Sequence, residues 1–347
     1  MKKLLAMSMV LTMTATLLAG CGSTSTSPDA AGDTAEVEST EAVEETATEA
    51  VAEETVTDGE KTYKIGVIQL VEHAALDASN QGFEAALKES GLKYELDQQN
   101  AQGDQSACAT IASKLVNDGD DLILAIATPA AQAVAAETTE IPIVVTAVTD
   151  PADSGLVESN EAPGGNVTGS SDLTPVKEQI DLLKKLLPEA KKVGILYCTA
   201  ESNSEIQATM AKDAITAAGM EYEEYTVSSS NELQQVVESA VGKVDALYAP
   251  TDNTIAAGMA TVAMVANESK LPVICGEEGM VDAGGLATYG IDYYQLGYKA
   301  GQMAVKILKG EAKPADMPIE YLEASQCALK TNQETADALS IDLSVLK

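Results

Sequence analysis

Polar pairs and clusters stand where apolar runs stop: Glu72-His73, Gln99-Asn100, Thr128-Pro129, Thr149-Asp150, Glu201 to Ser204, Thr251-Asp252-Asn253, Glu277-Glu278 and Asp292-Tyr293. Such residues can do two kinds of chemistry. Thr, Asn and Asp side chains cap helix starts by accepting backbone N–H groups. In an open parallel sheet the same strand ends border a crevice where ligands bind, beside helix N-termini that attract anions. A carboxylate placed there can pair with a cation. The candidate binding residues are therefore Glu72, His73, Thr128, Thr149, Asp150, Glu201, Asn203, Thr251, Asp252, Glu277 and Asp292. A cap alone would explain Thr128, Asn203, Thr251 or Asp252 singly, and Asp150-Pro151 reads equally well as a turn. Capping does not explain why both halves of the chain offer such groups at one edge.

Catalytic and metal chemistry find little support. His73 is the only histidine, so a site with two histidine ligands or a second catalytic histidine cannot be built. No G-x-S-x-G elbow is present, and the lone S-x-x-K at Ser90–Lys93 has no supporting motif. The glycine-rich piece Pro163–Gly169 lacks the GK[ST] ending of a phosphate loop and reads as a turn at a lobe crossing. Neither a metal, a cofactor nor a catalytic residue is expected, and the chain reads as a binder rather than an enzyme. Every basic residue is lysine, so no guanidinium can fork onto a carboxylate; an anionic group must be held by amides, hydroxyls or lysine. Cys108, Cys198, Cys275 and Cys327 show no CxxC spacing, and they read as free thiols, with Cys198 and Cys275 at the ends of apolar runs.

The elements that must position these groups alternate regularly. Strand-like runs at 63–70, 93–98, 121–127 and 142–148 are separated by helical patterns, one with Leu76, Phe83, Ala86 and Leu87 on one face and Gly91 as its stop. The pattern restarts with a helix expected to be capped by Thr174 and opened by Pro175. Strands at 192–197, 222–227, 244–248 and 272–275 then alternate with helices at 204–218, 232–241 and 252–266. Such βα alternation implies parallel sheets with helical crossovers, hence two similar α/β lobes in tandem. The remainder, strand 285–291, helix 293–308, strands 318–323 and 326–330 and a last short helix, is too short for a third domain. It is expected to cross between the lobes and complete both sheets.

The N-terminus reads as an address. Lys2-Lys3, an apolar stretch over 4–18 and Leu18-Ala19-Gly20-Cys21 form a secretory leader ending in a lipobox, with 1–20 removed and Cys21 lipidated. Residues 22–60 hold twelve Asp or Glu, no lysine and no aromatic residue, the composition of a disordered tether over 21–60. The location expected is the outer face of a bacterial cell membrane, held by lipid and not by a spanning helix. The whole chain carries 54 acidic residues against 21 basic ones, a net charge of −33, which argues against nucleic acid as partner.

From about Lys61 onward the chain resembles the ABC-transporter substrate-binding lipoproteins of the tryptophan/tyrosine-binding type. The matching stretches are VEHAALD (71–77), QNAQGD (99–104), ATPAAQA (127–133), TAVTDP (146–151), PGGNVTG (163–169), ESNS (201–204), PTDNT (250–254) and GIDYYQLG (290–297). The resemblance implies the type I periplasmic-binding-protein fold: two Rossmann-like lobes joined by three crossovers, here 61–173 with 290–318 and 174–289 with 319–347. It implies a monomeric receptor that captures an amino-acid-type ligand, best known as Trp, Tyr or Phe, and delivers it by hinge closure to an ABC permease with its ATPase. With it, Thr128, Thr149 and nearby amides are assigned to a ligand carboxylate, and Asp252 or Asp292, with Glu72 as a further option, to its ammonium. Glu201, Asn203 and Glu277 are placed on the second-lobe wall. A sensor feeding a signalling receptor, or a different ligand on the same fold, are the alternatives.

Overall fold

The computed structural model describes residues 61–322 and 326–346. Residues 1–60, where the leader, lipidated Cys21 and tether are expected, lie outside the described residues. Among the described residues no helix is long and apolar enough to cross a membrane.

The first lobe opens with β1 (Thr62–Gln69), α1 (Ala74–Ser90), β2 (Lys93–Asn100), α2 (Gln105–Asn117), β3 (Leu122–Ile126), α3 (Thr128–Glu137), β4 (Ile143–Val148) and β5 (Val167–Ser171). The chain then crosses to α4 (Val176–Leu186), β6 (Lys192–Cys198), α5 (Ser202–Ala217), β7 (Glu221–Val227), α6 (Leu233–Ala240), β8 (Ala246–Ala249), α7 (Asn253–Ala257), α8 (Met259–Glu268), β9 (Val273–Cys275), α9 (Glu278–Asp282) and β10 (Ala287–Gly290). It returns for α10 (Tyr293–Leu308) and β11 (Glu320–Tyr321), and ends in the second lobe with β12 (Ala328–Thr331) and α11 (Gln333–Leu339). The two sheets run β11-β5-β4-β3-β1-β2 and β12-β10-β9-β8-β6-β7. All pairings are parallel except β10 with β12. Both lobes belong to one compact unit.

The apolar run of β3 is buried along its whole length, as a strand covered by helices on both faces must be. α10 follows a second-lobe strand yet packs on α1 of the first lobe, and glycine allows it. A Cβ on Gly297 would stand 1.8 Å from the Ser79 carbonyl oxygen, and one on Gly82 would stand 2.0 Å from that of Tyr294. This close approach sets Tyr293 at the top of α10 beside the gap between the lobes, where Ser79 Oγ donates to its carbonyl.

Four readings are corrected. The piece over 163–169 is not only a turn: its second half is the start of β5, a buried central strand. Gly169 there has φ +150°, and a Cβ on it would lie 2.0 Å from the Val145 carbonyl oxygen, where the β4–β5 register shifts. Thr174 does not cap α4, whose first turn receives no side-chain bond. The helix over 252–266 is broken at Gly258, against which Leu233 packs so closely that a Cβ would meet its Cδ1 at 2.1 Å. β11 pairs with β5 and Ile319 N donates to the Asn160 carbonyl, so residues 319–321 stay with the first lobe and the third crossing falls later than 318/319. The four described cysteines are unpaired, and Cys108, Cys198 and Cys275 are buried.

Candidate functional site

The carboxyl ends of the central strands of both sheets face one another. Past β4 stands Thr149, past β5 Asp172, past β6 Glu201, past β8 Thr251 and Asp252, and past β9 Glu277, all of them buried. Asp172, Asp252 and Glu277 line a single cavity of about 10 Å³ with His73 and Tyr293, room for about one water as it stands. Beside it, sharing Asn253, a cleft of about 510 Å³ runs between the lobes. Leu70, Val71 and Pro129 line it from the first lobe, and Ala200, Glu201 and Ala257 from the second.

The lobes touch through polar groups. Gln207 Nε2 donates to Thr149 Oγ1 at 3.2 Å, His73 Nε2 stands 3.2 Å from Asn253 Oδ1, and Gln132 Nε2 donates to Ser202 Oγ at 3.3 Å. Burial, the largest influence on His73, lowers its pKa and favours the neutral ring.

The carboxylates differ in what occupies them. Glu201 accepts four bonds from the start of α7: the Asn253 amide at 3.2 Å and side chain at 2.6 Å, and the Thr254 amide at 2.9 Å and hydroxyl at 2.8 Å. Asp252 caps the same helix through Ile255 N at 2.8 Å while its other oxygen takes Cys198 N at 2.6 Å. Glu277 caps α9 through Gly279 N and Met280 N. Asp172 sits on the first crossover and caps nothing. It accepts hydroxyls, Tyr293 OH at 2.9 Å and Thr149 Oγ1 at 3.2 Å. Burial pushes Asp172 up to about 6 and Glu277 up to about 7, and raises Asp252 with Glu201 adding to the effect. None of the eight ion pairs among the described residues reaches any of these four carboxylates.

Thr128 opens α3 and is fully buried, yet its hydroxyl has no hydrogen-bond partner. The preceding Ala127 holds φ +81°, a conformation rare outside glycine. An unpaired buried hydroxyl beside a helix N-terminus is a ready donor to an anion. Asn203 Oδ1 is likewise unpartnered, while its Nδ2 donates to the Thr251 carbonyl.

Three expected residues fall outside this cluster. Glu72 is exposed and borders a separate polar hollow with Asp77 and Gln98. Asp150 is spent in its own turn, accepting from Ala152 N, Asp153 N and Asn160 Nδ2. Asp292 is exposed and caps α10 through Gln295 N. Three residues absent from the expectation belong to it: Asp172, Tyr293 and Gln207. Asp172 follows β5, whose small residues carry little strand signal, and Tyr293 is the first residue of α10, next to the expected Asp292. Gln207 stands four residues after Asn203, so spacing alone places it on the same helix face.

Two facing α/β lobes, with a polar cleft between them that no lysine lines among the described residues, define a two-lobe solute-binding protein. The comparisons with known proteins agree. The family described as ABC transporter substrate binding protein matches residues 64–345, and the chain belongs to that family, one of solute receptors and not of enzymes. A tyrosine-binding protein of Clostridioides difficile is 46% identical over 289 residues, 82% of this chain and 83% of the relative. An ABC domain from Streptococcus pneumoniae in complex with L-Trp is 41% identical with a TM-score of 0.79, over 82% of this chain and 98% of that one. The ligand-free, open structure of a substrate binding protein with adhesive properties from Clostridium difficile is 45% identical but overlays with a TM-score of only 0.62, over 81% and 95%.

Proposed function

We propose that the protein is the solute receptor of an ABC importer and that its ligand is an aromatic amino acid, tyrosine or tryptophan, held between the lobes. The observation that carries this reading is Asp172, a buried carboxylate in the interlobe cavity, held by hydroxyls and facing no cation. A buried ammonium needs such a partner, and a buried carboxylate gains from one. Thr128 Oγ1 and the first amides of α3 receive the ligand carboxylate, a role that suits a chain without arginine. The ring extends into the cleft of about 510 Å³ along Leu70, Val71 and Pro129. Asp172 thus takes the part first assigned to Asp252, Asp292 or Glu72.

The named ligands of two relatives, tyrosine and L-Trp, support the ligand class. Hinge closure fits the better overlay on the L-Trp complex than on the open, ligand-free relative at similar identity. A cavity of about 10 Å³ at Asp172 also requires the lobes to part before an amino acid can enter. Lipidation at Cys21, a place on the outer face of the cell membrane and hand-over to a permease as a monomer complete the proposal.

The test is a thermal-shift panel on ligand-stripped protein against amino acids, sugars, nucleosides and polyamines. A ligand at 100 times its Kd adds about 2.7 kcal/mol, a shift of several degrees. A shift confined to tyrosine, tryptophan or phenylalanine is expected. Silence from all amino acids with a shift from another class would overturn the ligand and leave the fold.

A further inference from the structure

A chain of buried hydrogen bonds crosses from one lobe to the other through the amine anchor. Tyr293 OH, on the second crossover, donates to Asp172 Oδ2 on the first. Thr149 Oγ1 donates to Asp172 Oδ1, and the same oxygen accepts from Gln207 Nε2. Gln207 is fully buried on α5, and its own lobe already holds it: its amide oxygen accepts from Thr251 N at 3.1 Å, and Nε2 also donates to Thr251 Oγ1. It is therefore a preset donor on the second lobe, and Thr149 is the acceptor it meets on the first.

A hydroxyl has one proton to give. With Asp172 ionised, the Thr149 proton points to the carboxylate and its lone pairs are left for Gln207. With Asp172 protonated, the carboxyl competes as a donor and that polarity is no longer enforced. A ligand without a cation, closed over Asp172, takes it further from water and favours the protonated form, whereas an ammonium group against it holds it ionised.

Resting on the receptor reading above, we propose that Gln207 is a positioning residue that reads the ligand's amine through Thr149 and Asp172, and so makes closure of the lobes selective for ligands that carry a cation. The ring and carboxylate contacts load the first lobe. The Gln207–Thr149 bond retains the ligand by keeping the second lobe shut.

The experiment measures association and dissociation of L-tyrosine and L-tryptophan by stopped flow, with solution scattering for closure, on the full chain as wild type, Gln207→Leu, Thr149→Val and the double variant. 3-(4-Hydroxyphenyl)propionate, which lacks the amine, is the comparison probe. Losing a buried hydrogen bond and leaving a partner unsatisfied should speed dissociation about tenfold or more in each single variant. Association should stay within about threefold, because affinity changes at one interface fall mostly on the off-rate. The double variant should be no worse than the stronger single one, as expected of one shared interaction. The probe without an amine should leave at the same rate from wild type and Gln207→Leu, without compaction. Wild-type dissociation rates in either single variant, or additive effects in the double, overturn the proposal; an effect of Gln207→Leu alone would mean that the residue only props Thr251. A wild-type protein that binds neither amino acid overturns the receptor reading and this inference with it, whereas normal wild-type binding with unchanged variants overturns this inference alone.

Discussion

Two acids of the cleft, Glu201 and Asp172, are both buried at strand ends and have opposite uses. Glu201 spends its oxygens on four donors from one helix start, so it is part of the scaffold of α7. Asp172 receives hydroxyls and keeps acceptor capacity toward the cavity. On the function proposed above, a carboxylate at a strand end is thus a cap or an anchor according to its donors, and residue type does not distinguish the two.

This contrast can be broken by substitution. The largest effect on the fold is expected from Glu201→Ala, which strands the Asn253 and Thr254 amides. A loss of about 2–4 kcal/mol should appear as a melting temperature lower by several degrees, and a normal melting curve would remove Glu201 from the scaffold. Thr128→Val should leave stability unchanged or slightly raised, because it removes an unpaired buried hydroxyl, while weakening the amino acid about tenfold; calorimetry reads both. Asp292→Ala is the smallest case, with about 1 kcal/mol of capping lost and the dissociation constant unchanged.

pH separates the same groups. Asp172 is raised from 3.8 to about 6 in the folded protein. A raised carboxyl binds its proton more tightly folded than unfolded, so its contribution to stability is fully present below pH 3.8 and is lost as pH rises through about 6. Ligand binding has the opposite sign, since an ammonium prefers the ionised form. Affinity should therefore climb from pH 5 to about 7 in the wild type and climb less steeply in Asp172→Asn. Glu277 and Asp252, each raised to about 7, share the cavity, so part of the slope should survive the substitution.

Much of this was legible in the sequence. The apolar runs that became β1, β3, β4 and β6, and the polar clusters at their ends, placed the cleft and most of its second-lobe wall. The tandem α/β alternation gave both sheets apart from β5. That strand escaped because Val167–Ser171 is built of small residues around a glycine, without the bulky β-branched run that marks a buried strand. Asp172 was lost with it. Capping and binding could not be separated at Asp252, because the deciding donor is the amide of Cys198, 54 residues away in the chain. Asp292 looked like its equal, and only burial tells them apart: Asp252 is 1% exposed, while Asp292 stands in solvent.

The most direct measurement is the affinity of Asp172→Asn for L-tyrosine and L-tryptophan by calorimetry at neutral pH, beside wild type. Truncating one partner of a buried charge pair costs 2–5 kcal/mol, so a loss of about thirtyfold or more is predicted, with no fall in melting temperature. Wild-type affinity in the variant would contradict the account at its centre and return the amine to Asp252, the buried carboxylate among those first assigned to it.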